Sequence, residues 1–166
     1  MKRTRKGTGR RYERGSIAVE AAIVLPILLL IVAFPSVQLA FYYRQYSAVQ
    51  KALHDAVLYL STAPRVEMIT AGPDGNPAAL TVANTIMTKE LAGLVPAGTS
   101  LDTNFICVYQ VGGNPAMQLC TVAHNQDPAR TLIQFGVSIS VPYVNPITGS
   151  TGASIAPYAP VAYVGN

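Results

Sequence analysis

The stretch from Ala21 to Tyr43 reads AAIVLPILLLIVAFPSVQLAFYY and holds no charged residue. At ~1.5 Å per residue it makes a helical rod of roughly 34 Å, enough to cross a ~30 Å hydrocarbon core with some tilt. A buried core helix does not fit, because the run is too long and lacks a polar face. Pro26 and Pro35 interrupt it. Each removes a backbone donor, which membrane helices tolerate better than soluble ones. Phe41, Tyr42 and Tyr43 close the run, where an aromatic belt meets the headgroups.

Beyond the run the pattern changes. Tyr42, Tyr46, Val49, Leu53, Ala56 and Leu60 recur in alternating steps of four and three, the spacing of a helix packed along one seam. One helix is therefore expected from about Ser16 to Ser61, ended by Ala63-Pro64 because the residue before proline disfavours helix. Two destinations suit the stripe: the protein's own C-terminal domain, or a partner helix.

Gly72-Pro73-Asp74-Gly75-Asn76-Pro77 reads as a turn and a helix start, with Asn76 as cap and Pro77 in the first helical position. Leu80, Ala83, Met87, Leu91 and Leu94 form the apolar face of that helix, and Pro96-Ala97-Gly98 closes it. The rest reads as strands. Asn104–Val111 and Ala116–Ala123 flank the turn cluster Gly112-Gly113-Asn114-Pro115. Thr131–Val141 alternates, with Ile133, Phe135, Val137, Ile139 and Val141 as the core face. Pro142 weakens a continuation through Tyr143, Asn145–Gly149 is a turn, and the proline-bearing 154–164 suits only an edge strand or an irregular cover. The fold class is α+β. A long N-terminal helix, membrane-spanning in its first half and amphipathic in its second, carries a small extracytoplasmic domain of one further helix and an antiparallel β-sheet. The expected boundaries are 1–15 for a basic cytoplasmic leader, 16–43 for the transmembrane helix, 44–63 for its amphipathic extension and 64–166 for the domain.

Charge sets the orientation. The formal net charge of +4 is unevenly spread. Lys2, Arg3, Arg5, Lys6, Arg10, Arg11 and Arg14 face only Glu13 at the N-terminus, whereas the remainder has five Lys/Arg against seven Asp/Glu. A basic tail can bind nucleic acid. Beside an apolar span it reads as a cytoplasmic retention signal, so no nucleic-acid partner is expected and residues after about 44 lie outside. A secretory signal peptide shares the basic-then-apolar pattern. Against it, Gln38-Leu39-Ala40 is a poor cleavage site and Glu20 stands at the start of the apolar run.

The boundary itself carries the most informative residues: Arg14-Gly15-Ser16-Ile17-Ala18-Val19-Glu20. An ionised carboxylate at membrane depth costs a few kcal/mol on insertion scales, of order 3. Cleavage after Gly15 would make Ser16 a new N-terminus whose ammonium lies one helical turn from Glu20. Between assembled helices, the ammonium of one subunit could pair with the carboxylate of the next and fix their register. This arrangement resembles type IV prepilins, with a basic leader ending in Gly, a Glu at the fifth mature position and an apolar helix. Within that class GSIAVEAAIVLPILLLIVAF, with its early Pro26, resembles the TadE-like family of minor pilins and pseudopilins of the tight-adherence (Tad, Flp-type) pilus system, and Tyr46–Leu53 with Asp55-Ala56 resembles the helix that follows there. The residue after the Glu is usually aromatic in that family and is Ala21 here. The resemblance implies a bacterial cytoplasmic-membrane protein, periplasmic beyond its span. It also implies processing at Gly15–Ser16 by a prepilin peptidase, assembly through Glu20, and pilin-like and Tad assembly proteins as partners.

Cys107 and Cys120 are centred between Gly113 and Asn114, so a symmetric hairpin of that register sets them face to face, within reach of a disulfide. In an oxidising compartment the alternatives are that bond or two buried thiols. Two cysteines without nearby His or acid cannot fill a metal site. His54 on the long helix and His124 at a strand end lack metal-spaced neighbours, Asp127 reads as a loop residue, and no serine sits in a nucleophile elbow. No cofactor and no catalysis are expected. The alternative to a pilin-like subunit is an uncleaved, signal-anchored extracytoplasmic binding module of the cell envelope.

Overall fold

Helix α1 runs Arg10–Thr62 without a break at Pro26 or Pro35. The structure, a computed structural model, describes residues 10–95 and 101–165, with the side chains of α1 described from residue 17. The helix starts at least six residues before the expected Ser16 and so takes Gly15 into its backbone. It stops where expected: Ala63 is followed by Pro64, which opens the single turn α2, Arg65–Ile69. The chain divides between Phe41 and Tyr42 into two compact units.

In the first unit the apolar side chains face outward. Leu30 and Ile31 are each 68% exposed, and no residue from Ala21 to Phe41 is buried. A chain that solvated this surface in water would forgo about 25 cal/mol for every Å² of it. By length and composition the helix is fit to cross a membrane.

The second unit is the α+β domain, and the second half of α1 is part of its core. Val49, Ala52, Leu53, Ala56, Val57 and Leu60 are buried, with Tyr42 and Tyr46 packed at the edge of the same cluster. The stripe thus packs on the protein's own domain. Three further helices are described rather than one: α2, α3 (Ala78–Glu90) and α4 (Val122–Gln126). On α3 the expected face is buried at Leu80, Ala83 and Met87, and Leu91 follows it. The cap differs, because Pro77 is the cap residue and makes no side-chain capping bond. The Asn76 side chain is diverted, donating from Nδ2 to Asp74 Oδ2 at 3.0 Å. The helix ends at Glu90; the expected stop, Pro96-Ala97-Gly98, lies outside the described residues.

The sheet is antiparallel. Strand β1 (Asp102–Val111) lies between β2 (Asn114–Leu119) and β3 (Arg130–Tyr143). Strands β4 (Ala153–Ile155) and β5 (Tyr158–Ala162) both pair with β3. Gly112 and Gly113, at φ 57° and 90°, form a two-residue hairpin turn that requires positive φ at both positions.

That tighter turn moves the register by two residues from the symmetric expectation, so Cys107 faces Gln118. A shift of two keeps every side chain on its face. Cys120, just past β2, therefore still meets Cys107, and the two form a disulfide with Cα atoms 5.0 Å apart. The second hairpin strand ends at Leu119, not Ala123, because the Thr121 side chain accepts a hydrogen bond from His124 N and caps α4.

On β3, Phe135, Val137, Ile139 and Val141 are buried as expected. A bulge opposite Val108 and Tyr109 skips Ile133, and Leu132 packs against the core in its place. The strand runs through Pro142 to Tyr143. Pairing with β1 has ended at Ser140, so Pro142 occupies a position where β3 has lost one neighbour and a missing N–H is tolerated.

Candidate functional site

Gly15 and Ser16 lie in the helical backbone of α1, and their side chains are outside the described ones. Glu20 is exposed on the same helix, followed directly by the charge-free run. Four residues of α-helix separate Ser16 from Glu20, a rise of about 6 Å and one turn. The three residues thus lie on one continuous helix, with Gly15-Ser16 on the side away from the span. Ile17, Val19 and Ile23 around Glu20 are each more than half exposed. A carboxylate at this depth on an exposed apolar helix is costly unless a cation meets it, so its position is chemically distinctive.

Just past the charge-free run the helix enters the domain. The Tyr42 ring stacks on Tyr46 at 6.2 Å between centroids and meets Tyr143 edge-on at 5.5 Å. Gln45, buried between them, donates from Nε2 to the Pro142 carbonyl at 3.0 Å and accepts at Oε1 from Val144 N at 3.3 Å. One amide thereby holds the two backbone groups that flank Tyr143, one at the end of β3 and one just past it. Gln45 is not among the stripe residues, and only its buried position reveals the clamp.

A cavity of about 420 Å³ opens on the other side of the domain, lined among others by Arg65, Tyr109, Asn125, Arg130, Leu132 and Tyr163. Several of its polar groups are occupied internally. Asn125 accepts from Tyr109 Oη at 2.8 Å and donates to the Met68 carbonyl at 3.0 Å. Arg130 donates to Asp127 at 2.9 Å and also to Gln118. Burial pushes the Tyr109 phenol up to about 12, and burial together with its hydrogen bond to Glu67 does the same for Tyr59. These are neutral structural phenols rather than proton donors tuned for work near neutrality.

His54 is exposed on α1, and His124 lies in α4 rather than at a strand end, its ring against Tyr109. Asp127 is engaged by Arg130 and by Ala129 N. Among the described residues there is no cluster of three His, Cys, Asp or Glu able to hold a metal ion.

No curated protein and no solved structure matches the chain. Its first part does find a counterpart: residues 15–58, which open on Gly15 and take in Ser16, Glu20, the charge-free run and most of the buried stripe, match the model of the TadE-like protein family.

Proposed function

We propose that the protein is a minor, pilin-like structural component of a Tad pilus assembly machine. In this reading a prepilin peptidase cuts it between Gly15 and Ser16, and it assembles through its N-terminal helix. The observation that carries the reading is Gly15-Ser16 with Glu20 one turn on, at the head of an exposed apolar helix and inside the stretch that matches the TadE-like family. Cleavage releases the Lys/Arg-rich leader and creates an ammonium at Ser16. A neighbouring subunit displaced by one turn can then offer its Glu20 to that ammonium, so the charge pair selects one stagger among the many that an apolar surface alone would allow. The C-terminal domain remains outside the membrane, in an oxidising compartment that suits the Cys107–Cys120 bond. The protein acts as substrate and building part, not as catalyst.

Sequencing the N-terminus of the chain extracted from membranes of its own cells tests this directly. The expected first residue is Ser16, with a mass lower by residues 1–15. A retained Met1, or a cut near residue 40, would overturn it and leave an anchored or secreted envelope module.

A further inference from the structure

We propose that the turn Asn145–Ser150 is a second membrane contact, a lipid-facing foot of the unit that begins at Tyr42. The argument begins with place. Gln45 lies two residues beyond the end of the charge-free run at Tyr43, and its side-chain amide bonds Pro142 and Val144. Tyr143, between them, packs on Tyr42. The strand end that launches the turn is therefore pinned at the level of the aromatic residues that end the span, where the headgroup region begins.

Composition is the second observation. From Thr131 to Asn166 the chain contains no Asp, Glu, Lys, Arg or His. The turn presents Ile147, which is 55% exposed, beside Pro146. A tip with no charge to desolvate and one exposed branched aliphatic side chain is suited to the headgroup–acyl boundary and has no counterion to attract.

Backbone satisfaction is the third. A loop entering a region poor in water must meet its own polar groups. Here Asn145 Oδ1 accepts from Ile147 N at 2.9 Å and from Thr148 N at 3.2 Å. Gly149 N donates to the Asn145 carbonyl at 2.7 Å, and Asn145 N to the Ser150 carbonyl at 3.0 Å. The two hydroxyls of Thr148 and Ser150 bond each other at 2.8 Å. The turn arrives with these donors already engaged, so inserting Ile147 strands none of them. The foot needs only the membrane span; it is indifferent to whether the leader is cut.

The chain has no tryptophan, so Ile147→Trp supplies a single fluorescent reporter at an exposed site. The full-length variant is reconstituted in vesicles of phosphatidylethanolamine and phosphatidylglycerol, with or without bromine at shallow acyl positions. Met117→Trp, on the exposed side of β2, is the comparison. Flotation of the vesicles checks insertion first. The foot predicts blue-shifted emission from Ile147→Trp, loss of most of it to brominated lipid and protection from acrylamide, with the reverse for Met117→Trp. Emission from Ile147→Trp that is water-like, open to acrylamide and indifferent to bromine overturns the foot while leaving the anchor standing. Equal quenching of both variants overturns it too, since the domain then lies on the bilayer without using this turn. A chain that does not float with the vesicles removes the anchor and the foot together.

Discussion

Asn125 joins three parts of the domain through one buried amide. It receives the Tyr109 hydroxyl from β1 and donates to the Met68 carbonyl at the end of α2, while itself sitting in α4. Removing the hydroxyl leaves the amide oxygen buried and unmatched, which costs about 1–3 kcal/mol. Tyr109→Phe is accordingly expected to lower stability by that amount in denaturant unfolding followed in detergent. The effect has a pH signature. The phenol is raised by burial from 10.0 to about 12 in the folded chain. Its contribution is whole below the ordinary phenol value, because both states are then neutral. It is lost as pH climbs toward the folded value, because the unfolded chain ionises first. The gap between wild type and Tyr109→Phe should narrow across that interval. A constant gap would mean that the phenol is not the group responsible. None of this network was legible in the sequence, where Tyr109 and Asn125 stand sixteen positions apart in different elements. The one sequence signal for α4 was Thr121, a helix-capping residue type inside what read as a strand.

Among the elements, those marked by long apolar periodicity were legible, and those decided by a single local contact were not. The α1 stripe and the inner face of β3 follow from spacing alone, since period and burial are the same physical fact. The hairpin was legible from its glycines, but its register was not. Counting outward from a presumed centre put Cys107 opposite Cys120, whereas a two-residue turn puts Gln118 there. The disulfide survives because a slip of two preserves the face. The bulge that replaces Ile133 by Leu132, and the passage of β3 through Pro142, depend on partners that only the assembled sheet supplies. Within the hairpin the disulfide closes a loop with a sequence separation of 13. A bond of that span is worth about 3 kcal/mol through restriction of the unfolded chain. Replacing both cysteines by alanine should lower the unfolding midpoint by a corresponding amount. The pairing predicts no free thiol in the native protein, so labelling of unreduced, denatured chain by a maleimide would refute it.

For the molecule as a whole, the arrangement of a basic head, an apolar rod and a folded domain could be read from the sequence because each part is defined by composition over many residues. What composition does not report is how the end of β3 is fastened to α1, and that information resides in one glutamine. The proposed assembly role rests on Glu20. Glu20→Ala should leave the chain membrane-bound and cut at Gly15, yet sharply reduce its incorporation into the pilus machine, as read by co-purification with its partners. Undiminished incorporation would show that apolar packing alone sets the stagger.

Both sulfurs of the disulfide are buried, Cys107 at 0% and Cys120 at 5% exposure. The folded domain leaves little of either open to an oxidant. In the proposed topology the bond is therefore made on an unfinished chain, after the hairpin has reached the outer compartment and before the core is sealed. On that reading maturation acquires a sequence in time, in which export comes first, thiol oxidation second and final folding last, and a cell short of oxidising capacity would stall the protein at the middle step.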